Sequence, residues 1–421
     1  MEVSNMQLEK KRMSDTQDTD KGFATKESKR KERKTVYMDN AATTYPKPAV
    51  MYEAVDYANR YQAVNAGRGS YQLARMAVKQ IDALRTEILN FINGGEDAEV
   101  VLTPSATIAF NQIIGGSMLS QRDRVYVSPF EHNAVMRTLW MQQKKCGCSI
   151  EELPLHVDTL EIDLEKMEYQ FRENPPDYVF LSHISNVTGY LLPVEEICAK
   201  AKEITNGQAV VVLDAAQSFG LAEIDWKKTA FDVVVFAGHK TLYGPFGAAG
   251  FVKRTSLQLE PYLAGGTGSD SLNLDMPENI PEGLEPGSLN LPAFAGLYAS
   301  MQYIKEVTRE KIEQHERKLA EKLVEELEQI PSVHVYQAGD EKRRMGIVSF
   351  VVDGFQSGDI GMLLDEDYGI AVRTGYHCAP LIHKYLKDEG YGGTVRVSLG
   401  WFNEEKDVEM VVGGVKEILE G

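Results

Sequence analysis

The sequence predicts an α/β protein built on a mostly parallel sheet, with a smaller α/β unit after it. Three observations carry this. From Glu99 to about Phe251, short apolar runs alternate with segments of helical spacing, the pattern of parallel strands joined by crossover helices. Two of the runs, VVVLDAAQ and FDVVVFAGHK (Phe231 to Lys240), are rich in β-branched residues and fit buried strands covered on both faces. After a Gly- and Pro-rich stretch from Gly265 to Pro292, a long helical pattern from about Ala293 to Gln329 leads to a second set of strands.

The elements follow in order. Residues 1–34 are polar, rich in Lys, Asp and Ser, and without hydrophobic periodicity, so they read as a disordered tail. Its basic end, KESKRKERK, reads as a solvated charge run, with contact to an acidic partner as the alternative. VYMDN is a short strand and AATTYPKP a Pro-broken loop. PAVMYEAVDYANRYQ has helical spacing. QLARMAVKQIDALRTEILNFINGG is an amphipathic helix closed by two glycines. The alternation then runs through VVLTP, SATIAFNQIIGGSML, RVYVSPF, EHNAVMRTLWMQQKK, YVFLSHISN and PVEEICAKAKE to the two buried strands. The second unit carries the strands GIVSFVV, IAVRTG and TVRVSLG and the helix EKDVEMVVGGVKEIL. There is no internal repeat. The expected organisation is a tail over 1–34, a segment over 35–50 packing near the active site or the small domain, a large domain over 51–290 and a small C-terminal domain over 291–421.

Composition narrows the function. With 421 residues, 43% hydrophobic and 25% charged, the chain can bury a large core and hold two domains. A net charge of −17 argues against nucleic acid as a partner, because neutralising phosphates needs clustered Lys and Arg. No apolar run reaches the ~18 residues of a membrane span, and the N-terminus lacks the apolar region of a signal peptide. Four cysteines with no Cys-x-x-Cys pair and no regular spacing point away from a disulfide framework or a zinc knuckle, and Cys146-x-Cys148 is a weak metal signal. Cytoplasm is the expected location.

The chemistry gathers at strand ends. Ligands of doubly wound sheets bind outside the carboxyl ends of the strands. Asp214 and Gln217 end one buried strand, and His239 and Lys240 end the next, with about 26 residues between the acid and the lysine. A lysine there can form a Schiff base, and an acid can hold a protonated pyridine nitrogen, the arrangement that pyridoxal 5'-phosphate (PLP) requires. Taken singly, Asp-x-x-Gln can be a helix N-cap and Gly-His-Lys a surface loop. Gly-His-Lys-Thr is not a P-loop, because His239 interrupts the contiguous Gly-Lys-Thr.

Other candidates follow the same logic. His132, just after a strand, can lie on a pyridine ring or simply start a helix. Ser105 to Thr107 open a helix, which makes an anion site or a plain N-cap at Thr107. Asn186 can bind a carboxylate or stabilise a turn. Cys378 sits among Gly, His and Pro on a loop, where His377 or Arg373 can lower its pKa; most unpaired cysteines are instead buried hydrophobes. Arg396, in a strand-like run, is a carboxylate clamp or an exposed strand Arg.

Together these residues resemble the class V aminotransferase family (PLP fold type I), and within it the cysteine desulfurase and selenocysteine lyase branch. The likeness runs from about Tyr37 to the C-terminus through DNAAT, the His after Glu131, Ser-Asn-Val-x-Gly, Asp-x-Ala-Gln, Gly-His-Lys, Glu-x-Gly-x-x-Asn and Arg-Thr-Gly-x-His-Cys-Ala. The last motif looks like the SufS-like group, whose cysteine loop is short and structured. The resemblance implies a large domain with a mostly parallel seven-stranded sheet between helices, PLP as cofactor and a small domain carrying the cysteine loop. It implies that Lys240 forms the Schiff base and shuttles the substrate Cα proton. Asp214 would pair with the ring nitrogen, Gln217 with the ring oxygen, and His132 would stack on the ring. Ala106, Thr107 and His239 would bind the phosphate, and Asn186, Arg373, Arg396 and Asn40 the substrate. The Cys378 thiolate would attack the sulfur of L-cysteine, leaving a persulfide for a sulfur-acceptor protein and releasing alanine. Gly265, Gly266 and Ser288 would enter the partner's site in a homodimer.

Three departures separate this chain from the pattern that it resembles. Ala237-Gly238 replaces a Ser-containing pair and removes one phosphate hydroxyl. Arg68-Gly69-Ser70-Tyr71 replaces Arg-Gly-x-His, and Ala106-Thr107-Ile108 replaces Ala-Thr-Glu. Selenocysteine lyase is the alternative activity, since it uses the same residues. Transamination or β-elimination needs no Cys378. A scaffold that holds PLP without turnover is a fourth reading, against which Lys240, Asp214, His132 and Cys378 stand.

Overall fold

Runs of Val, Ile and Leu with no side facing water form the middle of a seven-stranded sheet. The structure, a computed structural model, describes residues 35–66, 69–268 and 272–420. The tail read over 1–34 and Arg68 of the Arg68–Tyr71 departure lie outside the described residues.

The described chain opens with β1 (Val36–Tyr37), α1 (Ala49–Tyr61) and α2 (Gln72–Phe91). Then come β2 (Ala98–Thr103), α3 (Ala106–Gly116), β3 (Arg124–Val127), α4 (Asn133–Cys146) and β4 (Ser149–Glu152). A small hairpin, β5 (Leu155–His156) with β6 (Glu161–Ile162), precedes α5 (Leu164–Glu173). β7 (Tyr178–Ser182), α6 (Val194–Ile204), β8 (Val210–Asp214), β9 (Val233–Ala237) and β10 (Ala249–Arg254) complete the sheet. Its spatial order is β2-β10-β9-β8-β7-β3-β4. Every pairing is parallel except those of β10, which runs antiparallel between β2 and β9.

All five residues of β9 are buried. Because side chains alternate along a strand, Val234 and Phe236 enter one core while Val233 and Val235 enter the other. This is why the central strands read as continuous apolar runs.

The second unit is a four-stranded antiparallel sheet in the order β11-β12-β15-β14. It follows α7 (Leu291–Val307) and α8 (Arg309–Leu327) and is made of β11 (Val333–Tyr336), β12 (Ile347–Val352), β14 (Arg373–Gly375) and β15 (Thr394–Ser398). Before β14 come α9 (Ser357–Tyr368) and β13 (Ile370–Ala371); α10 (His383–Leu386) precedes β15, and α11 (Glu405–Glu420) ends the chain. Leu319, Leu323, Phe350, Val397 and Val411 form its core, which Met38 joins from the N-terminal segment.

Two elements differ from the sequence reading. The helical pattern over 293–329 is two helices, broken at Thr308 with φ of 79°. The chain changes cores there: Phe294, Leu297 and Met301 pack with the large sheet, Leu319 and Leu323 with the small one. IAVRTG is two strands, because Ile370–Ala371 pairs with β1 while Arg373–Gly375 pairs with β15. Among the described residues, no helix is long and apolar enough to cross a membrane, and no group of His, Cys, Asp and Glu could hold a metal ion.

Gly238 links β9 to His239 and Lys240. Its N–H donates to the Ala248 carbonyl at 2.9 Å, and an added Cβ would press on that same oxygen and lie 3.1 Å from Leu297. Gly238→Ala is expected to cost about 1–3 kcal/mol, as overpacking of a rigid backbone contact does. A thermal melt that leaves the midpoint unchanged would refute this close approach.

Candidate active site

The carboxyl ends of β2, β3, β7, β8 and β9 all open into one cavity of about 220 Å3. Ser105, Ala106 and Thr107 line it after β2, His132 after β3, Ser182 and Asn186 at and after β7, Asp214 and Gln217 after β8, and His239 and Lys240 after β9. The second unit contributes Arg373 and Arg396, and the N-terminal segment contributes Ala41 and Ala42.

Lys240 stands in a turn whose backbone is held from the N-terminal segment. Thr44 Oγ1 donates to its carbonyl at 2.8 Å, while Thr43 Oγ1 and Lys47 Nζ donate to the His239 carbonyl at 2.9 and 3.0 Å. Burial pushes the Lys240 amine down to about 8; Asp214 opposes the shift, and Arg396 and Arg373 add to it. Asp214 is 8% exposed, and its Oδ1 accepts the Ala216 N–H at 2.9 Å. Burial raises its pKa, against the Ala216 N–H and the charge of Lys240.

Next to it lies an acid that sequence reasoning missed. Glu131 is fully buried, with Oε1 accepting from Ser128 Oγ at 2.6 Å and the Ser182 N–H at 2.5 Å. Burial, with the charge of Asp214, pushes it up to about 8. Its only sequence signal is an acid beside His132 immediately after an apolar strand.

His132 caps α4: its Nδ1 accepts the Ala134 N–H at 3.0 Å. Burial pushes its pKa down to about 3, helped by Lys240 and Arg373. The ring is therefore neutral, with its proton on Nε2. His239 is likewise pushed down to about 3 by burial, stacks on Phe246 with centroids 4.7 Å apart, and keeps a buried Nδ1 without a partner. At α3 the cap is Ser105, whose Oγ accepts the Ile108 N–H at 3.3 Å. Thr107, read as an anion-site residue or a plain cap, stands in the first turn, exposed at the cavity.

Arg396 has no exposed surface. Its Nη2 pairs with Asp39 Oδ1 at 2.6 Å and its Nη1 donates to the Asn186 carbonyl at 2.9 Å, leaving Nε without a partner. Burial lowers its pKa, and Asp39 works against the shift. Asp39 was missed as a functional residue, although a buried Arg demands such a carboxylate.

Cys378 follows β14 on a loop in which His377 and Cys378 both have positive φ, 44° and 59°. Arg373 Nη2 lies 3.3 Å from its Sγ. His377 is no cation: burial drives its pKa down to about 2, and its Nε2 lies 2.8 Å from Thr394 Oγ1. Only Arg373 supplies positive charge to the thiol from within this motif.

Residues 36–411 match the family model described as Aminotransferase class-V. The chain belongs to the class V aminotransferase family. A probable cysteine desulfurase of Methanothermobacter thermautotrophicus is 32% identical over 92% of this chain and 95% of its own length. A probable cysteine desulfurase of Pyrococcus abyssi is also 32% identical, with coverages of 92% and 95%. Among solved structures, the apo cysteine desulfurase of Thermococcus onnurineus NA1 superimposes with a TM-score of 0.83 at 30% identity, covering 92% of this chain and 95% of that one. The S-sulfonic acid form of the cysteine desulfurase CsdA from Escherichia coli gives 0.78 at 26% identity, with coverages of 92% and 95%.

Of the site residues read from the sequence of this class V aminotransferase, three do not line the cavity: Asn40, Ser288 and Cys378, the last of which meets it only through Arg373. Asn40 spends its amide on structure: Nδ2 donates to the Ser398 carbonyl at 2.9 Å and to Asn403 Oδ1 at 3.0 Å, and Oδ1 accepts the Tyr45 N–H at 3.3 Å. Its neighbours Ala41 and Ala42 line the cavity in its place. Ser288 is exposed, with its Oγ bonded to Asn65 at 2.9 Å. Gly266 lies beside it in the fold, its carbonyl accepting the Gly287 N–H at 2.9 Å.

The shift of Lys240 has a measurable consequence. In cofactor-free protein its neutral, reactive amine forms as pH rises, so labelling by an acylating reagent should reach half its maximum near pH 8. A half-maximum at the ordinary lysine value of 10.5, read by peptide mass spectrometry, would refute this environment.

Proposed function

We propose that this chain is a PLP-dependent cysteine desulfurase that converts L-cysteine to L-alanine and keeps the sulfur as a persulfide on Cys378. The observation that carries the reading is Arg373, which both lines the cavity with Lys240 and lies 3.3 Å from Cys378 Sγ. One residue thus joins the amine site to the nucleophile.

The residues fit PLP. His239 Nδ1 is a buried polar atom without a partner, as a phosphate-binding group requires. The first-turn N–H groups of α3, at Ala106 and Thr107, form an anion site beside it. Asp214 Oδ1 is satisfied by Ala216, which leaves Oδ2 for a protonated ring nitrogen. Gln217 donates one N–H to the Ala41 carbonyl at 2.8 Å and has a second for the ring oxygen. When bound, PLP withdraws electrons from the substrate Cα and so eases cleavage at Cβ.

The chain's own groups do the rest. Lys240 Nζ, lowered toward neutral pH, takes and returns the Cα proton. Neutral His132 covers the cavity without adding charge. Arg396, fixed on both sides, presents its remaining edge to the substrate carboxylate with Asn186 beside it. The Cys378 thiolate, next to Arg373, attacks the substrate sulfur. The S–S bond forms as the C–S bond breaks, the electron pair stays on the substrate carbon, and that carbon takes up a proton to give alanine.

The wider setting follows the same reading. Tyr57, Tyr61 and Tyr71 are 56%, 61% and 53% exposed on or beside α1 and α2, a face suited to a second copy and to a homodimer. All four cysteines are free, which fits the reducing cytoplasm. The persulfide then passes to a sulfur-acceptor protein.

Cys378→Ala should abolish alanine release from L-cysteine, while L-selenocysteine is still turned over because selenium is the better leaving group. Unchanged release from L-cysteine would sink the persulfide mechanism and favour elimination or transamination. Lys240→Ala should carry no PLP that borohydride can fix to the chain; retained label on another lysine would show that Lys240 is not the anchor.

A further inference from the structure

Three successive carbonyls of the cysteine loop are each held from a different place. The Cys378 carbonyl accepts the Asn133 N–H at 2.7 Å, from the start of α4. The His377 carbonyl accepts from Asn186 Nδ2 at 2.7 Å, from the loop after β7. The Tyr376 carbonyl faces His383 Nε2 at 2.9 Å, from α10. Behind His383, Asp388 Oδ2 lies 2.6 Å from Nδ1. His383 and Asp388 are 7% and 0% exposed.

A carbonyl only accepts, so Nε2 must carry a hydrogen to bond Tyr376. Asp388, 2.6 Å from Nδ1, fixes the other edge of the ring. The imidazole is thus a buried donor, held on both sides and aimed at the residue that leads into the left-handed pair His377–Cys378. Two consecutive side-chain-bearing residues in that region cost roughly 1–2 kcal/mol each, so they persist only where the surroundings hold them.

We propose that His383, backed by Asp388, is a positioning residue for the sulfur-accepting thiol: it fixes the Tyr376 carbonyl and thereby holds Cys378 Sγ beside Arg373. This rests on the proposed role of Cys378. His383 touches neither the cavity nor the thiol, so its effect belongs to sulfur transfer and not to handling of the Cα proton.

The test separates those two events in PLP-loaded enzyme. Persulfide formation on Cys378 is followed in a single turnover with L-cysteine by mass spectrometry. Exchange of the L-alanine Cα hydrogen with D2O, which needs Lys240 and not Cys378, is followed by NMR. In His383→Ala, persulfide formation should fall about tenfold to a hundredfold, the cost of leaving one buried carbonyl without its donor. Alanine exchange should stay within about twofold of wild type, since the interactions of that step are intact. His383→Gln, whose amide N–H can reach the same carbonyl, should recover most of the loss. Should His383→Ala not fold, Asp388→Asn is expected to show the same split. Equal losses in both assays, no loss in either, or no recovery with Gln would overturn the proposal. If Cys378→Ala releases alanine from L-cysteine as fast as wild type, the desulfurase reading itself falls, and the positioning role falls with it.

Discussion

The buried guanidinium of Arg396 is the point on which the rest of the site depends. It sits on β15 of the small sheet and is bound to Asp39 in the N-terminal segment and to the Asn186 carbonyl beyond β7 of the large one. Three parts of the chain, separated by up to 357 residues, meet at one planar group. A charge taken wholly out of water is tolerated only when its partners are fixed, and removing one partner typically costs about 3–5 kcal/mol. The same N-terminal segment then runs on to hold the Lys240 turn through Thr43, Thr44 and Lys47. Arg396 and the Lys240 amine are thus set relative to each other by one short piece of backbone.

Electrostatics in the cavity follow from that packing. Two arginines and a lysine face one ionisable acid, Asp214, with the neighbouring acid Glu131 pushed up to about 8 by burial. Three histidines nearby, His132, His239 and His377, are all driven to their neutral forms, with burial the largest cause in each. The positive charge that remains is where anions of the substrate and the cofactor would lie. The neutral rings add surface and hydrogen-bond capacity without repelling those cations.

Much of this was legible in the sequence, for a definite reason. Strand-end residues are placed by the fold itself: once VVVLD and VVVFA are buried parallel strands, Asp214 and Lys240 must emerge at the same edge. His132 and Ala106–Thr107 follow from the same rule. Residues whose role depends on distant pairing were harder to read. Asn40 and Asp39 are adjacent in sequence, yet Asp39 reaches Arg396 while Asn40 turns to Ser398 and Asn403. Nothing local distinguishes those two fates. Glu131 was hidden because an acid next to a histidine usually reads as solvated surface. The break at Thr308 was hidden because the helical pattern is continuous through it, and only the change of core requires the chain to turn.

The cysteine loop shows how a short motif is made rigid without bulk. RTGYHCAP begins as an edge strand, β14, paired only with β15, and then leaves the sheet in a left-handed conformation that its own residues do not favour. A loop of this kind is ordinarily free to relax, because its backbone groups can bond to water as well as to protein. Here His377 and Cys378 give their carbonyls to Asn186 and Asn133, both on the large sheet's side, and Tyr376 gives its carbonyl to His383 within the second unit. The loop is held against both cores at once. Any shift of one unit against the other must therefore move Cys378 or break one of these bonds, so the position of the thiol reports how the two halves of the chain are packed.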